Sequence, residues 1–237
     1  MKRGWDDSAN AWITAQGQRG DWSREHVLDA AMLRRVQGRG FTMALDVGCG
    51  EGRFCRILRQ QGIETIGIDP TIPLLEEARR RDPGGRYLSG SAERLDFEND
   101  RFDLVVSYLT LIDIPDFRTA IREMTRVLRP GGSLLIANLT SFVTTCVADG
   151  WVRDAEGRRL HYKLDRYLDE FPQWLEWDGI CIENWHRPLG AYMSALLENG
   201  LVLRFFEEPE ASSGDPERAA TYRRVPWFLV MEWIKPQ

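Results

Sequence analysis

Short apolar runs and amphipathic stretches alternate through the first 140 residues of the chain. The run "FTMALDV" (41–47) is apolar and preceded by glycine, which predicts a buried strand. "GRFCRILRQQ" reads as a helix stopped by Gly62, and "IETIGID" (63–69) as the next strand. Thr71 and Pro73 open a helix through "LLEEARRR". A brief strand in "GGRYLSGS" (84–91) and a fourth in "RFDLVVSYL" (101–109) follow. Asp116 is the predicted N-cap of a helix striped by Phe117, Ile121, Met124 and Leu128. That helix ends at "RPGG", with Gly131 and Gly132 as its C-cap, and "SLLIAN" (133–138) is a fifth strand. Strands alternating with helices at this spacing predict an α/β domain, a parallel sheet with helices on both faces.

The flanks are less regular. Residues 1–22 show little periodicity, with Trp5, Trp12 and Trp22 among Asp, Gln and Gly. Ser23 is the predicted N-cap of a helix whose face is Leu28, Ala31, Met32 and Val36. After Asn138 the alternation breaks, and 139–185 is rich in tryptophan and charge. Within it "HYKLDRYLDE" and "ICIENWHRPL" are predicted to pair as an antiparallel ribbon. "LGAYMSALLENG" is a helix with Gly200 at its C-cap; "LVLRFFEE" and "PWFLVMEWIK" are two more strands, joined by the polar loop "PEASSGDPERAATYRR". The expected organisation is a single domain over 1–237 with an N-terminal segment (1–40), a core (41–140), an insertion (141–185) and a closing helix with two strands (186–237).

Composition narrows the partners. Hydrophobic residues make up 43% and charged ones 28%, ordinary for a globular protein. Lys and Arg total 31 against 36 Asp and Glu, a net charge of -5, so a phosphate backbone would need a local basic patch. Arg79-Arg80-Arg81 and Arg158-Arg159 are short, flanked by acids and read as solvated faces. No nucleic-acid partner is expected. No apolar run follows Lys2 and Arg3, so no secretory signal is expected, and "LLIANLTSFVTTCV" (134–147) is too short and hydroxylated to span a bilayer. Cys49, Cys55, Cys146 and Cys181 form no C-x-x-C pair and have no histidine at ligand spacing. That pattern predicts free thiols in a cytoplasmic protein, with no metal site and no membrane association, as a monomer or homodimer.

The stretch "LDVGCGEGRF" (45–54) carries the chemistry. Gly48, Gly50 and Gly52 let a ligand lie against bare peptide N–H groups at a helix N-terminus. Asp46 stands two residues before the first glycine, unwelcome beside a pyrophosphate but useful beside a cationic ligand; it can also simply satisfy loop N–H groups. Asp69 ends the second strand, where a carboxylate can accept both hydroxyls of a ribose. The wider G-x-G-x-x-G pattern of nicotinamide enzymes is missing.

"ALDVGCGEGRF", "IGIDPT", "GSAERL", "FDLVVSYL" and "VLRPGGSLLIA" occur in the order and spacing of class I S-adenosylmethionine-dependent methyltransferases. The chain most resembles the small-molecule branch that includes quinone-biosynthesis methyltransferases, closely over 41–140 and more loosely over "HRPLGAYMSALLENGLVLRFFEEP". The resemblance implies a Rossmann-like seven-stranded sheet in the order 3-2-1-4-5-7-6 with strand seven antiparallel. It implies S-adenosylmethionine as cofactor and S-adenosylhomocysteine as product. Asp46 and the backbone of Gly48, Gly50 and Gly52 would cradle the methionine moiety. Asp69 would bind the ribose, with Pro70 and Thr71 beside the adenosine. Ala92 and Glu93 fall where the family holds adenine, although many relatives have Asp at the position of Glu93. Ser107 and Tyr108 would end the fourth strand beneath the sulfonium. Arg19 or Arg24 can neutralise the cofactor carboxylate or pair at the surface.

The expected reaction is methyl transfer to an O, N or C atom of a small, aromatic or heteroaromatic metabolite. A general base helps only when the acceptor must lose a proton. Tyr108 and His186 are the candidate catalytic residues, and with Trp5 and Trp12 the candidate substrate contacts; His186 can equally be a structural hydrogen bond. The family builds its substrate lid from the segments that here hold Trp5, Trp12, Trp151, Trp174, Trp177 and Trp185, so 1–40 and 141–185 are the expected lid. Two alternatives stand beside this reading: a tRNA- or nucleic-acid-modifying methyltransferase, and a non-catalytic cofactor-binding protein. "SYLTLID" lacks the Asn/Asp-Pro-Pro-aromatic stretch of amino-group nucleic-acid methylases.

Overall fold

A computed structural model describes residues 4–146 and 150–237. Residues 1–3 and 147–149, parts of the expected lid segments, lie outside the described residues. The chain opens with α1 (Trp5–Gln16), then a π-helical turn over Arg24–Leu28 that runs into α2 (Asp29–Arg34). The alternation follows as β1 (Met43–Val47), α3 (Arg53–Gln60), β2 (Glu64–Asp69), α4 (Ile72–Arg81), β3 (Arg86–Ser89), β4 (Phe102–Tyr108), α5 (Phe117–Val127) and β5 (Leu128–Leu139). Beyond the short α6 (Ser141–Thr144) come two hairpins, β6 (Trp151–Arg153) with β7 (Arg159–Tyr162), and β8 (Phe171–Trp177) with β9 (Ile180–His186). The chain closes with α7 (Leu189–Glu198), β10 (Val202–Glu207), α8 (Pro216–Tyr222) and β11 (Phe228–Ile234).

The main sheet has seven strands in the order β3-β2-β1-β4-β5-β11-β10. Strands β1 to β5 are parallel, and β11 runs antiparallel between β5 and β10. This is the expected 3-2-1-4-5-7-6 arrangement. Successive strand residues point to opposite faces, so the sheet feeds two cores. Leu45 and Val47 of β1 pack with Phe117, Ile121 and Met124 of α5 and Leu196 of α7. Ala44 of the same strand packs with Met32 of α2 and with Phe54 and Leu58 of α3.

Several local expectations are corrected. The N-terminal segment read as aperiodic holds the twelve-residue helix α1, whose buried residues are Ser8, Ala9 and Gln16. It shows no apolar stripe because it is docked by hydrogen bonds. The Ser8 hydroxyl donates to the Cys181 carbonyl on β9 (3.2 Å) and accepts from the Cys181 amide (3.0 Å). Ser23 is already helical and caps nothing; its hydroxyl meets Tyr222 at 2.8 Å, and Asp21 accepts the Arg24 amide instead (2.9 Å). "RPGG" is a bulge at the start of β5, not a helix C-cap: pairing skips from Phe102↔Leu128 to Leu104↔Ser133, and the Gly131 amide bonds the Lys235 carbonyl. The partner of β9 is β8, not "HYKLDRYLDE", part of which forms β7. The polar loop before β11 contains α8, capped by Asp215, which accepts the Arg218 amide at 2.8 Å.

No helix among the described residues is long and apolar enough to cross a membrane, none of them form a group suited to a metal ion, and the four cysteines are free.

One buried acid fastens the N-terminal helices to the far side of the sheet. Glu232 of β11 is fully buried and accepts from Arg35 (2.8 Å), Arg39 (3.0 Å) and the Ser133 hydroxyl (3.0 Å). Burial alone would raise its carboxyl, but the two guanidiniums hold it below the ordinary value. A carboxyl depressed by folding stabilises the fold above its unfolded pKa of about 4.3 and loses that contribution as pH falls further. Glu232→Gln is therefore expected to lower stability at pH 7 by about 3 kcal/mol, leaving two arginines without their anion. The gap between variant and wild type should narrow below pH ~4; urea titrations across pH 3–8 measure both effects.

Candidate cofactor and substrate site

The turn after β1 is built by close contact. Gly48 has φ +74°, and a Cβ on it would lie 2.1 Å from Thr110 Cγ2, so only glycine lets the turn approach the segment after β4. Gly50 has φ +55°, and a Cβ there would meet no protein atom within 4 Å. The Gly48 and Cys49 amides donate to the Ile68 carbonyl (2.8 and 2.9 Å), which ties the turn to the end of β2. Asp69, the last residue of β2, completes the tie. Its Oδ2 accepts the Gly50 amide (2.9 Å) and its Oδ1 the Thr71 amide (2.8 Å). Burial raises the Asp69 carboxyl, and these two amides oppose that rise.

A cavity of about 750 Å³ opens at the carboxyl ends of β1, β2 and β4, where the strand order reverses and α/β sheets bind their ligands. Gly48, Gly50, Asp69, Pro70 and Thr71 form one wall, with Ala92 and Glu93 beside them. Tyr108 and Leu109 close the floor; Leu109 has φ +59°, an uncommon conformation for a branched residue at the point where the chain leaves β4. Trp5, Trp12 and Arg24 enter from the N-terminal helices, and Trp177, Tyr222 and Trp227 from the C-terminal half.

The expected site residues divide into two groups. Trp5, Trp12, Arg24, Gly48, Gly50, Asp69, Pro70, Thr71, Ala92, Glu93 and Tyr108 all line this cavity. Asp46, Gly52 and Ser107 are not among its lining and belong to the layer beneath it. His186, a candidate catalytic residue and substrate contact, is fully buried and not part of the cavity lining. Its Nδ1 pairs with the Thr144 hydroxyl (2.7 Å) and its Nε2 with the Tyr167 carbonyl (3.0 Å), which occupies both ring nitrogens. Burial lowers its pKa. The Tyr108 ring faces the cavity, but its hydroxyl donates to Asp29 (2.9 Å), which Arg53 also holds at 2.7 Å. Burial, together with Asp29, keeps that hydroxyl well above its ordinary pKa.

The charges favour a cation. Asp46 is 1% exposed; its Oδ2 accepts from the Cys55 thiol at 3.3 Å, and its Oδ1 has no partner among the described residues. Burial pushes its carboxyl up to about 7. The charged residues of the cavity wall are Asp21, Asp69, Glu93 and Asp113 against Arg24 alone, and Arg24 is paired with Asp21. A ligand with a sulfonium and an ammonium group fits this excess of acid, and Arg24 is placed to meet a carboxylate. Arg24 also lies 4.9 Å over the Trp12 ring, which steadies both.

Asp113, Asn184, Tyr222 and Trp227 line the cavity without having been singled out in the sequence. Asp113 lies inside "SYLTLID", but no motif marks it. Asn184 and Tyr222 come from segments whose fold position only the hairpin β8–β9 and helix α8 establish, and Trp227 stands just before β11.

The sheet order, the glycine turn after β1 and the acid ending β2 define a Rossmann-like nucleoside-binding enzyme domain. Residues 45–136 match the family described as Methyltransferase domain. The chain is 29% identical to an S-adenosylmethionine-dependent methyltransferase from Mesorhizobium loti, with a TM-score of 0.75 over 87% of this chain and 96% of that one. It is 37% identical over 123 residues to the malonyl-[acyl-carrier protein] O-methyltransferase of Salmonella typhimurium, covering 52% of this chain and 46% of that protein. It is 30% identical over 128 residues to the demethylmenaquinone methyltransferase of Renibacterium salmoninarum, covering 54% and 52%. The chain thus spans about half the length of these curated relatives. Residues 45–136 thus carry a methyltransferase domain, with S-adenosylmethionine as its cofactor.

Two glycine variants separate folding from binding. Gly48→Ala should lower the melting temperature, because its Cβ collides with Thr110. Gly50→Ala should lower the melting temperature less than Gly48→Ala, because its Cβ meets no protein atom and only the left-handed φ of +55° costs it, yet it should bind S-adenosylhomocysteine more weakly. Asp69→Ala should raise the S-adenosylhomocysteine Kd roughly 10- to 100-fold. Calorimetry and thermal melts of the three variants read these effects.

Proposed function

We propose that the protein transfers a methyl group to a small, flat, aromatic or heteroaromatic metabolite. The observation that carries this reading is the two-sided cavity: the glycine turn and Asp69 on one side, and Trp5, Trp12, Trp177, Tyr222 and Trp227 on the other. Bound there, S-adenosylmethionine supplies an electrophilic methyl on a cationic sulfur. The ribose falls to Asp69, the adenosine to Pro70, Thr71, Ala92 and Glu93, and the methionine end to the peptide of Gly48 and Gly50, with Arg24 for its carboxylate. Asp46, Gly52 and Ser107 act from below, by charge and by shaping the turn. Tyr108 contributes its ring to the floor, while its hydroxyl braces Asp29. We assign His186 to holding β9 against α6 rather than to catalysis.

Helix α1 and the hairpins of 141–185 act as the lid over the core 41–140, with 186–237 closing the domain. The lid's aromatic faces suit a planar acceptor and exclude water from the transfer. The four acids of the cavity wall oppose a phosphodiester backbone, which favours a metabolite over a nucleic acid. Four free cysteines suit a reducing cytosol.

A methyl-transfer screen over phenols, quinols and N-heterocycles, scored by S-adenosylhomocysteine release, tests the reading; turnover confined to RNA would overturn it. For the best acceptor, Trp12→Ala should raise KM roughly tenfold, the value of one aromatic contact. Its effect on the melting temperature should be small, because Trp12 is only half-buried.

A further inference from the structure

The segment after β4 carries a carboxyl that the cofactor-holding residues leave unused. Asp113 lines the cavity, and what remains of its exposure faces that space. One oxygen, Oδ1, accepts from the Asn184 side-chain amide of β9; Oδ2 has no donor among the described residues. The loop that presents it is pinned from several sides. The Asp113 amide donates to the Thr110 carbonyl (2.9 Å), and the Trp185 amide of β9 donates to the Ile112 carbonyl (2.7 Å). Arg187, 1% exposed, donates to the carbonyls of Leu111 (2.9 Å), Ile114 (2.6 Å) and Pro115 (3.0 Å). A buried arginine spent on three loop carbonyls fixes the loop, and with it the direction of the carboxyl.

The rest of the wall narrows what this carboxyl can meet. With Arg24 paired to Asp21, the wall offers no unpaired cation to an anionic acceptor. A carboxylate entering beside Asp113 would meet Asp69, and Asp113 itself once it has lost its proton, while Arg24 is held by Asp21 and Arg187 by the loop carbonyls. An O–H or N–H group entering beside Asp113 finds a hydrogen-bond acceptor.

We propose that Asp113 accepts the proton of the methyl acceptor, oriented by Asn184, and that the acceptor atom is therefore a hydroxyl oxygen or an amine nitrogen rather than a carboxylate oxygen. This rests on the methyl-transfer reading above. Asp113 takes the proton as the freed electron pair of the acceptor forms the bond to the methyl carbon; the methyl–sulfur bond breaks with its pair passing to sulfur, and the proton leaves to water afterwards.

The charged or polar groups acting on Asp113 include Asp69 from β2, Arg24 from the N-terminal helices, Asn184 on β9, Arg187 just after it and Tyr192 of α7. Burial and Asp69 raise its carboxyl well above the usual range, while Arg24, the Asn184 amide and Arg187 oppose the rise. Such a group is protonated at low pH and becomes a base only as pH rises, so kcat should climb with pH along one limb.

Asp113→Asn keeps an oxygen for Asn184 and removes only the proton site. It is expected to lose roughly 100- to 10,000-fold in kcat and to lose the rising limb, with the S-adenosylhomocysteine Kd within about threefold of wild type. A kcat within about threefold of wild type, or a limb that persists, overturns the proposal. Asn184→Ala, with Asp113 intact, should move the limb to higher pH, because the carboxylate loses its donor; an unmoved limb counts against the assignment even where Asp113→Asn does not fold. A binding readout needs no acceptor. Calorimetry of S-adenosylmethionine in buffers of different ionisation enthalpy should show proton release by wild type, as a cation arrives beside Asp113, and less by Asp113→Asn. Equal release overturns the Asp113 assignment and leaves methyl transfer standing, whereas wild type that binds no S-adenosylmethionine removes both. Phenol and aromatic-amine arms should turn over, and an aromatic carboxylate preferred at pH 7 overturns the acceptor class.

Discussion

The site depends on one carboxylate that serves two loops. Asp69 takes the Gly50 amide on one oxygen and the Thr71 amide on the other, and so clasps the turn after β1 to the start of α4. Charge-assisted bonds of this kind are worth about 1.5–3 kcal/mol each when buried. They also orient the acid before any ligand arrives. Both loops leave neighbouring parallel strands at their carboxyl ends, and beside the clasp the glycine turn is held by the Ile68 carbonyl and the Thr110 hydroxyl. The acid that ends β2 and the glycine turn are thus one mechanical unit.

The opposite wall is held by a second device of different chemistry. Arg187 is buried without a close carboxylate; its nearest, Glu170, is 3.9 Å away, and its donors go to the carbonyls of the segment after β4. Its guanidinium also lies 4.4 Å over Phe117 and 4.9 Å over Trp185. A cation satisfied by carbonyl dipoles and ring faces stiffens a loop without introducing an acid near the cavity. The charged groups of the cavity wall are four carboxyls and Arg24, which Asp21 holds, and this excess of acid suits a cation. The two walls are braced by different chemistry, an acid between two amides on one and a guanidinium among carbonyls on the other.

The central sheet was legible because its determinants are local. Strands β1, β2 and β4 are short, mostly apolar runs bounded by turns, and α5 carries its own apolar stripe and its cap, Asp116. Helix α1 escaped because its docking is polar: Ser8 bonds a strand about 170 residues away, and no periodic pattern records such a partner. The pairing of β9 was misjudged for a related reason. Two candidate strands precede it, and alternation along a sequence does not say which of them comes alongside.

What the sequence determined by itself was the alternation of strands and helices, the glycine turn and the acids at or next to the ends of β1 and β2, since backbone conformation and strand burial are set by neighbouring residues, whereas the sheet order followed from the family resemblance. What only the tertiary structure decided was which side chains share the cavity. Tyr108 could be placed there because strand ends face the crevice, but the direction of its hydroxyl toward Asp29 could not. His186 turned inward to Thr144 and Tyr167, while Asp113 turned toward the ligand space under the hold of Asn184 and Arg187. Those outcomes rest on hydrogen bonds between segments far apart in the chain, and such pairings exist only once the hairpins and helices have packed onto the sheet.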